Sequence, residues 1–299
     1  MLSGVFLSLM TTDLHTLLAS RPILLDGATG TMLAPGTPPD HSSVVNLHRE
    51  YLLSGADIIK THTFCAQYIS HPDTAFETNQ AAAHAARACA DTFSTPARPR
   101  FVAGSVGPTS ISLSANADAT PILTKAYYHQ IRGLIRGGAD IILIETITDP
   151  LNAKAAISAF HTAADAEELQ PHLMLSFTIC GCDTRLSSGH TLRQALEIIA
   201  PTYNILSLGT NCSSRIEYDI QGLRYLSTAA DTYRSICPNA GMPLTNGTYP
   251  VSPVEFAMDL CDVIHTGLAQ IIGGCCGTTP AHIKALRNLM DGSGTPNIL

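Results

Sequence analysis

The sequence predicts an α/β fold of the TIM type, a closed (β/α)8 barrel in a single domain over residues 1–299. Short apolar runs alternate with longer segments of helical period, and eight such pairs can be counted. The runs are apolar throughout, as in parallel strands covered on both faces by helices. At 299 residues the chain exceeds the size of about 250 typical of such a barrel, and no low-complexity linker divides it.

The elements follow in order. Strand one is Ile23 to Asp26, followed by the glycine loop Gly27 to Thr31 and a proline-rich loop from Pro35 to Pro39. A helix near Val44 to Leu53 leads to strand two, Asp57 to Thr61, and the alanine-rich run Glu77 to Thr92 is helical by propensity. Strand three is Phe101 to Val106, the third helix about Ile122 to Arg136, and strand four the apolar run Ile141 to Thr146. The fourth helix, Pro150 to Ala164, opens on proline, whose missing N–H costs little in a first turn. Strand five is Leu173 to Ile179, the fifth helix Leu192 to Ala200, strand six Ile205 to Gly209, and the sixth helix lies within Glu217 to Tyr233. Strand seven is placed at Leu244 to Asn246, the seventh helix at Pro253 to His265, strand eight at Gln270 to Gly273 and the last helix at Pro280 to Met290. Gly55-Ala56-Asp57-Ile58-Ile59 recurs as Gly138-Ala139-Asp140-Ile141-Ile142, which reads as shared turn chemistry rather than a solenoid repeat.

Composition excludes several classes. Hydrophobic content of 45% with 14% charged residues fits a large core, and a net charge of −7 argues against a nucleic-acid footprint. No apolar run reaches the roughly 20 residues of a membrane span. Met1 to Met10 lacks the basic start of a secretion signal. The 9 cysteines, an odd number without small-scaffold spacing, favour reduced thiols and a cytoplasmic location.

The chemistry concentrates near the C-terminus, in Gly273-Gly274-Cys275-Cys276-Gly277. Neighbouring side chains of a strand point to opposite faces, so convergence of both sulfurs requires the backbone to turn, which the glycines permit. Adjacent cysteines bridge only with strain, so a metal grip is the better reading of this pair. Cys212, just past strand six, is the best third sulfur. Three thiolates with one open position describe a catalytic zinc site, since structural zinc sites have four protein ligands. The barrel places Asp26, Thr63, Glu145, Cys212, Asn246, Cys275 and Cys276 at or just past strand C-termini, the face that carries barrel active sites. Cys180 and Cys182, in Cys-Gly-Cys after strand five, read as bystander thiols. The glycine loop is not a P-loop, and neither a His-Glu-x-x-His nor a Gly-x-Ser-x-Gly motif is present.

These stretches resemble the homocysteine S-methyltransferase family, which includes betaine– and S-methylmethionine–homocysteine methyltransferases and the homocysteine-binding module of cobalamin-dependent methionine synthase. The likeness runs from Leu25-Asp26-Gly27 through Thr61-His62-Thr63-Phe64, Gly104 to Pro108, Leu143-Ile144-Glu145-Thr146 and Asn211-Cys212 to Gly273-Gly274-Cys275-Cys276-Gly277-Thr278. It implies a zinc-bearing barrel that methylates the sulfur of L-homocysteine to give methionine, with Cys212, Cys275 and Cys276 as ligands. It gives Asp26 and Glu145 the substrate ammonium as catalytic and binding residues. The Gly27 and Ala28 N–H groups and the Thr63 hydroxyl would take its carboxylate, as in related enzymes. Asn239 is either an oxygen ligand when substrate is absent or an Asn in a turn beside Pro238 and Gly241.

Departures from the family lie near the mouth: Ala28 follows Gly27 where many relatives have glycine, though alanine also occurs. Lys60 stands where the methionine synthase module commonly has an acid, His62 replaces asparagine, and Phe177 is larger than expected. The methyl donor is left open between S-methylmethionine, betaine and a methyl-corrinoid protein. The cobalamin modules do not follow, so a methionine-synthase-like role requires methylcobalamin on a separate partner protein. Two further readings remain: a homocysteine-binding subunit that acts only with such a partner, and a thiol–metal protein without methyl transfer.

Overall fold

The computed structural model describes residues 13–33, 40–67, 69, 72–199 and 204–292. Met1 to Met10, the Pro35 to Pro39 loop and Ala200 lie outside the described residues.

Eight parallel strands form one sheet: β1 Ile23–Leu24, β2 Ile58–Lys60, β3 Phe101–Val106, β4 Ile141–Ile147, β5 His172–Phe177, β6 Ile205–Asn211, β7 Tyr233–Cys237 and β8 Ile271–Ile272. Sequential neighbours pair from β2 to β8, and β8 pairs with β1 in the register Ile23 to Ile271. A bridge between Leu25 and Ile58, with the Asp26 N–H on the Ile58 carbonyl at 3.0 Å, closes the circle. The result is the expected (β/α)8 barrel.

Ten α-helices accompany it among the described residues: α1 Leu14–Ser20, α2 His41–Leu53, α3 Ala75–Phe93, α4 Thr120–Arg136, α5 Pro150–Glu167, α6 Leu192–Ile199, α7 Ile216–Ala229, α8 Pro253–Asp259, α9 Cys261–His265 and α10 Pro280–Met290. Asp40 caps α2 by accepting the Ser43 N–H at 2.7 Å, which starts that helix before the expected Val44. The helix expected from Pro253 to His265 is broken at Leu260 into α8 and α9.

Two cores follow from the period-2 alternation of the strands. Inside the barrel, Ile23, Leu25, Ile58, Ala103, Ile141, Leu143, Met174 and Ile271 pack together. Leu14, Leu17 and Leu18 of α1 join them, so this helix, which the sequence reading did not anticipate, seals the N-terminal end. Between sheet and helices, Leu24, Ile59, Val102, Ile142, Leu173 and Leu208 meet the helical apolar stripes. Gly55 and Gly138 both adopt positive φ, of 105° and 92°, which confirms the echo as a shared helix-to-strand turn.

Strand seven requires correction. Leu244 to Asn246 is a tight turn in which the Leu244 N–H donates to Thr248 O at 2.8 Å, and Leu244 is 52% exposed. The true strand, Tyr233–Cys237, carries Arg234 and Ser235 and so lacks an apolar signature. Asn246 therefore sits in the loop between β7 and α8 rather than at a strand end, and its Oδ1 accepts from Thr248.

Candidate metal and substrate site

The three cysteines meet at the C-terminal end of the barrel. Their sulfurs lie within 4.8 Å of one another, and no other group of three metal-ligating side chains is that compact among the described residues. Cys212 turns off β6 with φ 59°, a left-handed conformation rare for a side chain of this kind, and its N–H reaches the Cys237 carbonyl at 3.3 Å. The loop after β8 is fixed on the segment that follows β7, where the Cys275 N–H donates to Pro238 O at 2.8 Å and the Ala240 N–H donates to Cys276 O at 2.9 Å. Cys212 and Cys275 are joined sulfur to sulfur, with Cα atoms 5.7 Å apart, and the Cys276 sulfur is 3.5 Å from that of Cys212. The vicinal pair itself is thus unbridged.

Asn239 holds this cluster together. Its Oδ1 accepts the Cys276 N–H at 3.0 Å and lies 3.3 Å from the Cys212 sulfur, while its Nδ2 donates to Ser213 O at 3.1 Å. The amide oxygen therefore faces the Cys212 sulfur and the Cys276 backbone from within a turn, so both readings of Asn239 keep a structural basis. Asn211 was not singled out from the sequence. Its Nδ2 lies 3.9 Å from the Cys275 sulfur and 2.9 Å from Thr146 Oγ1, beside Glu145.

The donor set fits a thiophilic divalent cation. Three cysteine sulfurs converge with no fourth ligand in the group among the described residues, and thiolates select zinc over hard cations such as magnesium or calcium. Burial pushes the Cys276 thiol up, so a neighbouring cation is what would favour its thiolate.

Next to the sulfurs lie the two carboxylates. Asp26 is fully buried; its Oδ2 accepts the Lys60 N–H at 2.8 Å, and its Oδ1 has no hydrogen-bond partner. Burial raises its pKa to about 7, against the pull of Lys60. Glu145, 6% exposed at the end of β4, accepts a short hydrogen bond from the Ser105 hydroxyl.

The expected carboxylate donors are partly engaged. The Thr63 hydroxyl donates to Ser105 O at 2.7 Å and lies 2.6 Å from Thr61 Oγ1. The Ala28 N–H donates to Thr278 Oγ1 at 3.0 Å, and Thr278 in turn donates to Cys275 O at 2.7 Å. The Gly27 turn is packed so tightly that an added Cβ would come 2.7 Å from Thr278 Oγ1 and 2.8 Å from the Tyr51 hydroxyl. Thr278 thus links the first loop to the cysteine loop, a role visible only in three dimensions. Cys180 and Cys182 are exposed and belong to no such cluster.

The homocysteine S-methyltransferase family model matches residues 23–290, from β1 through α10. The chain belongs to that family. Among solved structures it is similar to the homocysteine methyltransferase MmuM from Escherichia coli. Both the oxidized and the metallated form of that enzyme match with a TM-score of 0.73 and 24% identity, covering 92% of this chain and 98% of the other. The dihydrodipicolinate synthase from Bacillus clausii shares the fold at a TM-score of 0.51 and 12% identity, covering 93% of this chain and 77% of the other. As a homocysteine S-methyltransferase the chain is an enzyme. No helix among the described residues is long and apolar enough to cross a membrane.

Proposed function

We propose that this barrel, acting as one domain over residues 1–299, moves a methyl group from a small donor or a methyl-corrinoid partner to the sulfur of L-homocysteine, with zinc held by Cys212, Cys275 and Cys276. The observation that carries the reading is the convergence of three sulfurs from two separate loops beside two buried carboxylates. The existence of a metallated form of the E. coli relative supports it. Zinc so held would lower the pKa of a thiol entering its open position, supplying thiolate at neutral pH.

The protein's own residues orient the substrate. Asp26 Oδ1, buried and lacking a donor, and Glu145 would accept the substrate ammonium. Thr63 and the Gly27-Ala28 turn shape the carboxylate side. In the transfer, the substrate sulfur forms the new S–C bond as the donor's bond to the methyl carbon breaks, its electron pair leaving with the donor. The thiol proton goes to solvent. Asn239 would offer an oxygen to the metal when substrate is absent. We place this chemistry in the cytoplasm, where thiols stay reduced.

The test is methionine formation by zinc-loaded protein from homocysteine with S-methylmethionine, betaine or a methylcobalamin protein. Turnover with at least one donor is expected, together with loss of bound zinc in Cys212→Ala, Cys275→Ala and Cys276→Ala. Absence of methionine with every donor, or full zinc content in all three variants, would overturn the proposal.

A further inference from the structure

Lys60 is the departure that the fold makes consequential. It ends β2 two residues after Ile58, so the alternation of the strand points it into the barrel, where it is 5% exposed. Its Nζ donates to Gly274 O at 3.2 Å, the residue before Cys275, and lies 3.7 Å from Asp26 Oδ1. The second separation is too long for a hydrogen bond, so ammonium and carboxylate face each other without closing. An ammonium has three N–H donors, and a buried one left short of acceptors is costly. Burial alone would neutralise Lys60, but Glu145 and Asp26 outweigh it and hold its pKa above the ordinary lysine value. The charge is therefore kept at the point where an amino-acid substrate must sit.

Two of the carboxylate donors expected at that point are already engaged. The Thr63 proton is given to Ser105 O and the Ala28 N–H to Thr278. Asp26 and Glu145 are both acidic and would repel the same group. We propose that Lys60 is the cationic contact for the carboxylate of the thiol substrate, so that a zwitterion is gripped by charges of both signs. This rests on the proposed function above. It makes Lys60 a specificity-determining residue: the site selects thiols that carry both an amino and a carboxylate group. A purely structural lysine, present only to neutralise the buried carboxylates, would make no distinction between thiols with and without a carboxylate.

The experiment compares calorimetric binding of L-homocysteine and its decarboxylated analogue, 3-aminopropane-1-thiol, to zinc-loaded wild type, Lys60→Met and Lys60→Arg. Loss of a charged hydrogen bond predicts about 10- to 100-fold weaker homocysteine binding by Lys60→Met. The analogue should change by less than about threefold, within the spread of an uncharged contact. Partial recovery is expected in Lys60→Arg. Equal loss for both ligands, or unchanged homocysteine binding, would overturn the inference and leave the proposed function standing. Failure of the wild type to bind either thiol would instead overturn the function, and this inference with it. If Lys60→Met does not fold, Lys60→Gln, which keeps a donor for Gly274 O, carries the same comparison.

Discussion

Asn211 and Thr146 are tied by two hydrogen bonds. The Asn211 Oδ1 accepts the Thr146 N–H at 3.0 Å, and its Nδ2 donates to Thr146 Oγ1 at 2.9 Å. Thr146 has φ 58°, a conformation that needs external support in a β-branched residue. The pair joins the residue after Glu145 to the residue before Cys212, and so sets the carboxylate against the sulfurs. Asn211→Ala strands the partly buried Thr146 N–H, with an expected cost of about 1–3 kcal/mol. It should also raise KM for homocysteine while bound zinc is retained. Denaturant titration under reductant and steady-state kinetics check both; an unchanged KM in a destabilised protein would restrict Asn211 to a structural role.

The contact between Cys212 and Cys275 makes the site sensitive to air once metal is removed. Their Cα separation of 5.7 Å suits a disulfide without backbone movement. Chelation under oxygen should therefore join these two thiols, which lose two protons and two electrons to the oxygen. The seven cysteines outside this pair would remain for titration after denaturation, and zinc would rebind only after reduction. Nine titratable thiols after such treatment would contradict this.

Much of this architecture was legible from patterning, and the exceptions have physical causes. β3 and α10 carry uninterrupted apolar or amphipathic signals, and their observed bounds match the expected ones. β7 was hidden because polar residues interrupt both its faces: inside the barrel the Ser207 hydroxyl donates to Ser235 Oγ at 3.4 Å, and on the outer face Arg234 turns back to Leu268 O at 2.6 Å. Leu244, flanked by proline and glycine, imitated a strand while remaining outside the core. The cysteine triad was readable because thiolate chemistry needs few residue types. Thr278 and Asn211 act through hydrogen bonds to distant segments, which no local pattern encodes. Lys60 was visible as a charge in a buried strand, but its partners Asp26 and Gly274 come together only in the closed barrel.

The turn after the cysteine pair depends on Gly277. Its φ is 79°, and a Cβ there would meet the Tyr249 ring at 2.1 Å. Gly277→Ala should therefore combine about 1–2 kcal/mol of backbone strain with a steric clash. Zinc affinity should fall, because Gly277 directly follows Cys276. Tyr249→Gly in the same chain, which also removes the Tyr249 Cβ that would lie 2.6 Å away, should relieve the clash and leave the strain, recovering part of the affinity. Zinc competition with a chromophoric chelator measures each variant; full recovery in the double variant would show that the backbone term is negligible.

Asp219 links the metal loop to pH. It is fully buried in the first turn of α7, accepts the Ser213 hydroxyl at 2.6 Å beside Cys212, and leaves Oδ2 without a partner. Burial raises its pKa from 3.8 to about 8, against hydrogen bonds from Ser213 and Thr210. The folded state thus holds a proton that the unfolded chain releases near pH 4. Its contribution is fully present below that pH and is lost as pH rises towards about 8, with a slope approaching 1.4 kcal/mol per pH unit at about 25 °C. Asp219→Asn cannot titrate, so its stability relative to wild type should improve across that window and level off above it. Urea midpoints from pH 5 to 9 under reductant read the difference, from which other titrating groups such as Asp26 cancel. Parallel profiles for the two proteins would mean that Asp219 is ionised in the folded barrel and that a donor reaches Oδ2.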